Sequence, residues 1–161
     1  MLQRIDQNLF LAILLIPAIA LGTALISQYG FGLEPCALCV WQRWPYAAAF
    51  AVALLAPVLG THWIVPLLAA ICFGLSAGFG VFHMGVEEGL WEGLATCSGA
   101  DTPGSLEDLR AQVLGKQPAR CDQVPFSFLG LSIAGWNAVY GTTMAVLMLV
   151  IAVRRGRGRA A

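Results

Sequence analysis

Residues 9–26 read LFLAILLIPAIALGTALI, eighteen residues without a charge, inside a longer stretch from Gln7 to Leu33 that has none either. A helix crossing about 30 Å of hydrocarbon needs roughly 20 predominantly apolar residues. Three further segments have that character: one from near Val40 to Leu59, charge-free after Arg43, then Ile64–Phe82, then about Leu131–Val153. Of 161 residues, 58% are hydrophobic and 11% charged, and the mean hydropathy is +0.75, so little chain remains for a water-soluble core. The expected fold is all-α, a four-helix transmembrane bundle forming one domain over residues 1–161. Ala18-Ile19-Ala20 has the look of a signal-peptide cleavage site. The apolar run outlasts the roughly 7–15 residues of a signal core, so a retained first span is expected.

Net charge is zero, but its distribution is uneven. Arg154, Arg155, Arg157 and Arg159 follow the last apolar run and Arg4 precedes the first. Eight of the nine acidic residues fall in 27–42 and 83–130, Asp6 being the exception. Basic flanks stay in the cytoplasm. Both termini are therefore expected there, with loops 27–42 and 83–130 outside and Gly60-Thr61-His62-Trp63 as a short inner turn.

On that topology the five cysteines sort themselves. Cys36 and Cys39 lie in the first outer loop, Cys97 and Cys121 in the second, and Cys72 in the middle of the third span. Two pairs on one side suit disulfide chemistry in an oxidising compartment. Cys97 and Cys121 read equally well as a structural staple, which could contribute about 3 kcal/mol on the chain-entropy model. A four-thiolate zinc site is the other structural reading of a C-x-x-C. The 23 residues between Cys97 and Cys121 speak against it, and no metal is expected. Cys72, some 15 Å deep by helical rise, reads as a small buried apolar residue.

The segment Pro35-Cys36-Ala37-Leu38-Cys39-Val40-Trp41-Gln42-Arg43 carries the clearest chemistry. A ring closed between such near cysteines gains little loop-closure stability, so stapling is a weak reason for it. Cys39 falls where the second helix begins, and free N–H groups there favour a thiolate. Arg43 stands one turn further on the same face. Its guanidinium can offset negative charge on Cys39 or on an oxygen of a bound carrier; the plainer reading is a snorkelling interfacial arginine. His83, at the start of the second loop, reads by default as a hydrogen-bonding surface residue, and Glu87, Glu88 and Glu92 as solvated.

Trp41, Trp44, Tyr46, Trp63, Trp91 and Trp136 suit aromatic belts. Pro45 is tolerated if it lies in an opening turn. Ala70, Gly74 and Gly78 would let the third span approach a neighbour closely. In the second loop, Ser105-Leu106-Glu107-Asp108 resembles a capping box, Leu106, Leu109, Val113 and Leu114 repeat at helical spacing, and Gly115 provides a stop. A short amphipathic helix on the outer leaflet is expected there, between Cys97 and Cys121 and flanked by bends at Gly99, Pro103, Gly104 and Pro118.

Taken together these residues resemble the DsbB family of membrane thiol:quinone oxidoreductases. The resemblance rests on four spans, the PCxLCxxQR signature at Pro35–Arg43, Phe82-His83-Met84-Gly85-Val86-Glu87 followed by Leu90-Trp91 and Cys97, and Cys121 followed by Phe128-Leu129-Gly130-Leu131. It implies that Cys36 and Cys39 are re-oxidised by a bound quinone (ubiquinone or menaquinone), with Cys39 beside the ring. It implies that Cys97 and Cys121 oxidise a soluble, periplasmic thioredoxin-like partner of the DsbA type, Cys97 forming the mixed disulfide. Arg43 and His83 are implied as quinone-binding residues. The location implied is the bacterial inner membrane, with lipid and quinone as the other partners and no nucleic acid. The direction of electron flow comes from the resemblance and not from the residues. No dinucleotide or flavin fingerprint is evident, which suits a membrane-dissolved acceptor. Three alternatives stay open: a relative dedicated to one special partner, a reductase of the vitamin-K-epoxide-reductase kind, and a non-catalytic four-span scaffold stapled by disulfides. In the second of these families the C-x-x-C is expected late in the bundle, whereas here it precedes the second span.

Overall fold

Four long helices carry the chain in the computed structural model, which describes residues 2–59, 63–94, 97, 106 and 119–158. They are α1 (Leu2–Gly30), α2 (Ala37–Leu59), α3 (Ile64–Glu87) and α4 (Ile133–Arg157). α1, α3 and α4 are long and apolar enough to cross a membrane. α2 is long enough, but Gln42, Arg43, Pro45 and Tyr46 dilute the apolarity of its first half. Pro45 lies beyond the opening turn expected for it, in a helix that continues unbroken to Leu59. The amphipathic helix expected between Cys97 and Cys121 lies outside the described residues except for Leu106, which is helical and exposed. The inner turn expected at residues 60–62 lies outside them too.

α4 begins two residues later than its apolar run, because Leu131 and Ser132 are used otherwise. They form a strand, β2, paired antiparallel with β1 (Ser127–Phe128) in the register Ser127↔Ser132 and Phe128↔Leu131. The turn between them needs left-handed backbone at both central residues, and Leu129 and Gly130 have φ of 51° and 79°. Ser132 then caps α4, its Oγ accepting from Gly135 N–H at 3.0 Å. At the far end Arg154, Arg155 and Arg157 occupy the last turn, where cations complement the helix dipole.

The half of the bundle remote from the cysteine loops is packed mainly with apolar side chains. Leu9 and Ile13 of α1, Ala49, Ala53 and Ala56 of α2, Val65, Ala69 and Phe73 of α3, and Met148 of α4 form one buried cluster. In a bilayer such contacts gain little from leaving water, so dispersion and close approach hold them. The close approach of α3 to α4 does not use Gly74 and Gly78, as the four-residue spacing suggested; both are exposed. It uses Gly80 and Gly141. A Cβ at Gly80 would sit 3.0 Å from Ala138 N, and one at Gly141 would sit 3.0 Å from Phe73 O. The small-residue seam exists, but on the adjacent helical face.

Candidate active site: two cysteine pairs in one buried cluster

Pro35 ends the loop and Cys36 takes the position just before α2, where a helix leaves N–H groups unpaired. The Cys36 sulfur fills the capping role, accepting from Cys39 N–H at 3.2 Å. The Cys36 and Cys39 sulfurs lie 2.8 Å apart, so the pair stands close enough to close to a disulfide. His83 Nε2 lies 3.5 Å from the Cys36 sulfur. The Cys36 thiol is lowered from 9.0 to about 4, first by its hydrogen bond with Cys39; burial opposes this, and His83 adds to it. The helix start lies close to both sulfurs, Cys36 as the cap and Cys39 as the residue whose N–H it accepts from.

Cys97 reaches this place by a fold-back after α3. Gly89, at φ 69°, reverses the chain, and Leu90 N–H donates to Gly85 O at 2.8 Å. Trp91 then lies flat on Phe82, with ring centroids 5.9 Å apart and planes at 14°, and its Nε1–H donates to Phe82 O at 2.8 Å. The ring covers Gly85 so closely that a Cβ there would fall 2.0 Å from it. Cys97 is bonded to Cys121, and Cys121 N–H donates to Cys97 O at 3.4 Å. Cys36, Leu38, Val86, Cys97 and Cys121 form one buried cluster, with Cys39 and Phe82 packed against it. The two pairs, 58 or more residues apart along the chain (Cys39 to Cys97), are neighbours in space.

A cavity of about 340 Å³ opens beside the cluster, between α1 and α4. Its walls are mostly apolar, and Cys36, Cys39, Gln42, Arg43, His83 and Asn137 are among the polar groups that line it, with Glu34, Glu87 and Arg120 also there. Arg43 Nη1 donates to Gln28 Oε1 of α1 at 2.6 Å, which aims the guanidinium across the cavity mouth. Its charge still acts on Cys39, through space and not through a hydrogen bond.

A family model described as disulfide bond formation protein DsbB matches residues 6–151. The chain belongs to the DsbB family. It is 34% identical over 147 residues to disulfide bond formation protein B of Acidovorax sp. (strain JS42), covering 86% of this chain and 82% of that one. It is 31% identical over 156 residues to the protein of the same name from Marinobacter nauticus, covering 91% and 92%. No solved structure matches it. As a DsbB-family chain with membrane-crossing helices, it is a disulfide bond formation protein of the membrane, and the family name makes it a disulfide oxidoreductase.

Within this DsbB-family site, Cys36, Cys39, Cys97 and Cys121 come together, and Arg43 lines the cavity with Cys36 and Cys39. His83 does not begin a loop. It is buried inside α3, which runs to Glu87. Glu87 is not solvated either: it accepts from Ser132 Oγ and lies 3.8 Å from His83 Nε2. Cys72 is half-buried and free, packed on the apolar cluster. Gln42, Ser76, Asn137 and Tyr46 were not expected at the site. The available signal was their polarity inside apolar spans, where a polar group has to find a partner.

Proposed function

We propose that this protein is a thiol:quinone oxidoreductase that re-oxidises a soluble thioredoxin-like dithiol of the DsbA type. The observation that carries the reading is the single buried cluster holding both cysteine pairs, of which Cys36 and Cys39 also line an apolar cavity. On this reading α2 crosses the bilayer with the other three helices. Both termini lie in the cytoplasm of a bacterium, and the cysteine loops face the periplasm.

Thiol–disulfide exchange requires a thiolate aligned with a disulfide sulfur. A thiolate of the partner attacks the Cys97–Cys121 bond, forming a mixed disulfide and releasing the other cysteine as thiolate. The partner's second thiol displaces Cys97, so that the partner leaves oxidised and the loop pair is left as a dithiol. A thiolate of the loop pair then attacks the Cys36–Cys39 disulfide, and the second loop thiol completes the exchange. The Cys97–Cys121 bond is restored and Cys36 and Cys39 become the dithiol. Quinone bound in the cavity supplies the acceptor: two electrons and two protons leave the Cys36–Cys39 pair, which closes to a disulfide as quinone becomes quinol.

The residues present fit such a ligand. Small-molecule sites are usually apolar concavities of roughly 300–1,000 Å³ with a few fixed polar groups. Here Arg43, held by Gln28, and Cys39 both line the cavity, and the guanidinium would offset negative charge on a bound quinone. The test is oxidation of a reduced DsbA-type protein by the purified chain with ubiquinone or menaquinone. Turnover should require quinone, and Arg43→Ala should raise the quinone KM with a smaller change in kcat. Partner oxidation that proceeds equally well without quinone and without oxygen would remove the proposal.

A further inference from the structure

A chain of hydrogen bonds runs from α4 to the Cys36 sulfur, and backbone carbonyls, which can only accept, orient its amides. Asn137 Nδ2 donates to Ser76 O at 3.1 Å, so Asn137 Oδ1 is the atom that accepts from Tyr46 Oη at 2.7 Å. The same Nδ2 lies 2.7 Å from Gln42 Oε1. Gln42 Nε2 donates to Leu38 O at 3.3 Å, which fixes that amide from its other end as well. Its remaining proton points at His83 Nδ1, 2.9 Å away. Nδ1 must therefore accept, and a neutral imidazole with an accepting Nδ1 carries its proton on Nε2. Nε2 faces acceptors, Cys36 Sγ at 3.5 Å and Glu87 Oε1 at 3.8 Å.

We infer that Gln42 and Asn137 are positioning residues that hold His83 as an Nε2–H donor aimed at the Cys36 sulfur. The catalytic meaning rests on the oxidoreductase reading above. When a disulfide at Cys36 is broken by attack on the other sulfur, the electron pair of that bond goes to Cys36 Sγ. His83 keeps its proton and hydrogen-bonds the new thiolate. The same lock argues against a metal centre, although Cys36, Cys39 and His83 present ligand atoms within 4.8 Å of one another. To bind a metal through Nε2 the ring would need its proton on Nδ1, where Gln42 offers only a donor.

The tautomer can be read directly, because the chain has two histidines, His62 and His83. Full-length protein with nitrogen-labelled histidine, in lipid nanodiscs and chemically reduced, gives two imidazole signals, and His62→Gln assigns them. His83 is expected with Nε2 protonated and Nδ1 bare. Asn137→Leu and Gln42→Leu should each give a mixture of tautomers. They should also raise the pH midpoint for Cys36 alkylation by about one pH unit, the worth of one hydrogen bond to a charged group. The other ionisable groups around Cys36 are Cys39, Glu87 and, in the cavity wall, Glu34, Arg43 and Arg120, and these substitutions leave them in place. Gln42→Glu should restore the midpoint, since a carboxylate accepts from Nδ1–H of an imidazolium while Nε2–H still faces sulfur. An Nδ1–H tautomer in the unaltered protein overturns the inference. So does an unshifted midpoint in both leucine variants, each first shown to retain the Cys97–Cys121 bond. No part of this uses quinone, so a failure of quinone-dependent turnover would count against the proposed function alone.

Discussion

The two halves of the bundle are built from the same four helices and held together differently. Toward the basic tail the buried contacts are alanine, leucine, isoleucine, valine, phenylalanine and methionine, together with the ring of Tyr46, whose hydroxyl donates to Asn137. Toward the cysteines the same helices bury Gln42, Ser76, His83 and Ser132, and bring Asn137 and Glu87 against them. Among the described residues no buried side-chain nitrogen or oxygen lacks a partner. A fully satisfied polar network in a low-dielectric interior fixes orientation, and a dry core does not need to. The dry half supplies a frame, and the wet half aims a donor at a sulfur.

The largest difference between the halves should appear in their cysteines. Cys39→Ser in the wet half is expected to reduce quinone-dependent turnover to background, because no disulfide can then form beside the cavity. Cys72→Ser, in the dry half, is expected to leave turnover at the level of the unaltered protein. The comparison is made by following partner oxidation at equal protein concentrations. Loss of turnover in the Cys72 variant would mean that the dry half takes part in the chemistry.

Phe73→Ala reverses the contrast. Phe73 is fully buried and meets Tyr46 with ring centroids 5.9 Å apart. Its truncation should lower stability by about 3–5 kcal/mol through the cavity left behind. The pH midpoint of Cys36 alkylation should stay where it is. Thermal unfolding in detergent and the alkylation profile check the two halves separately, and a shifted midpoint would show that the frame and the site are coupled.

Much of the frame was legible in the residues, because a long apolar run without charge has few other fates in a protein. The four helices follow the four runs, and the C-x-x-C stands at a helix start. The second cysteine pair was legible as two cysteines of one outer loop, but not as the packing neighbour of the first pair. What brings Cys97 under α2 is Trp91 lying on Gly85, a contact between positions six apart that has no periodic signature. The seam at Gly80 and Gly141 was misplaced because Ala70, Gly74 and Gly78 share a spacing, and spacing does not say which face meets a neighbour. The network through Gln42 and Asn137 joins positions 95 residues apart. One sequence holds no trace of that pairing beyond the oddity of polar side chains in apolar helices. The hairpin at Leu129-Gly130 was hidden because its strands are two residues each.

A subtler effect separates the cysteine pairs in their response to pH. In the reduced protein Cys36 is held down to about 4 from an ordinary 9.0, first by the Cys39 thiol. A lowered value means that the folded state favours the thiolate. Its stabilising contribution is complete above the unfolded value, near pH 9, and is lost as pH falls through the folded one, near pH 4. Alkylation of Cys36, followed peptide by peptide, should therefore be flat across neutral pH and fall only as acidity approaches that lower value. A rate that instead climbs toward pH 9 would show an ordinary thiol.

The smallest effect is expected at Arg120 and Asp122, beside Cys121. Arg120 Nε and Nη2 donate to Asp122 Oδ1 and Oδ2 at 2.9 and 2.6 Å, a bidentate pair of good geometry. Both side chains are 45% exposed, however, and solvent and salt screen what the geometry offers. Cys121 is held by its bond to Cys97 and by burial against Leu38 and Val86, none of which the ion pair touches. Arg120→Ala should thus leave both the unfolding midpoint and the Cys36 alkylation profile unchanged at physiological salt. If it loosens the segment, the unfolding midpoint will drop and the drop will vanish at high salt. The polar order of the wet half would then extend past the buried network to the surface.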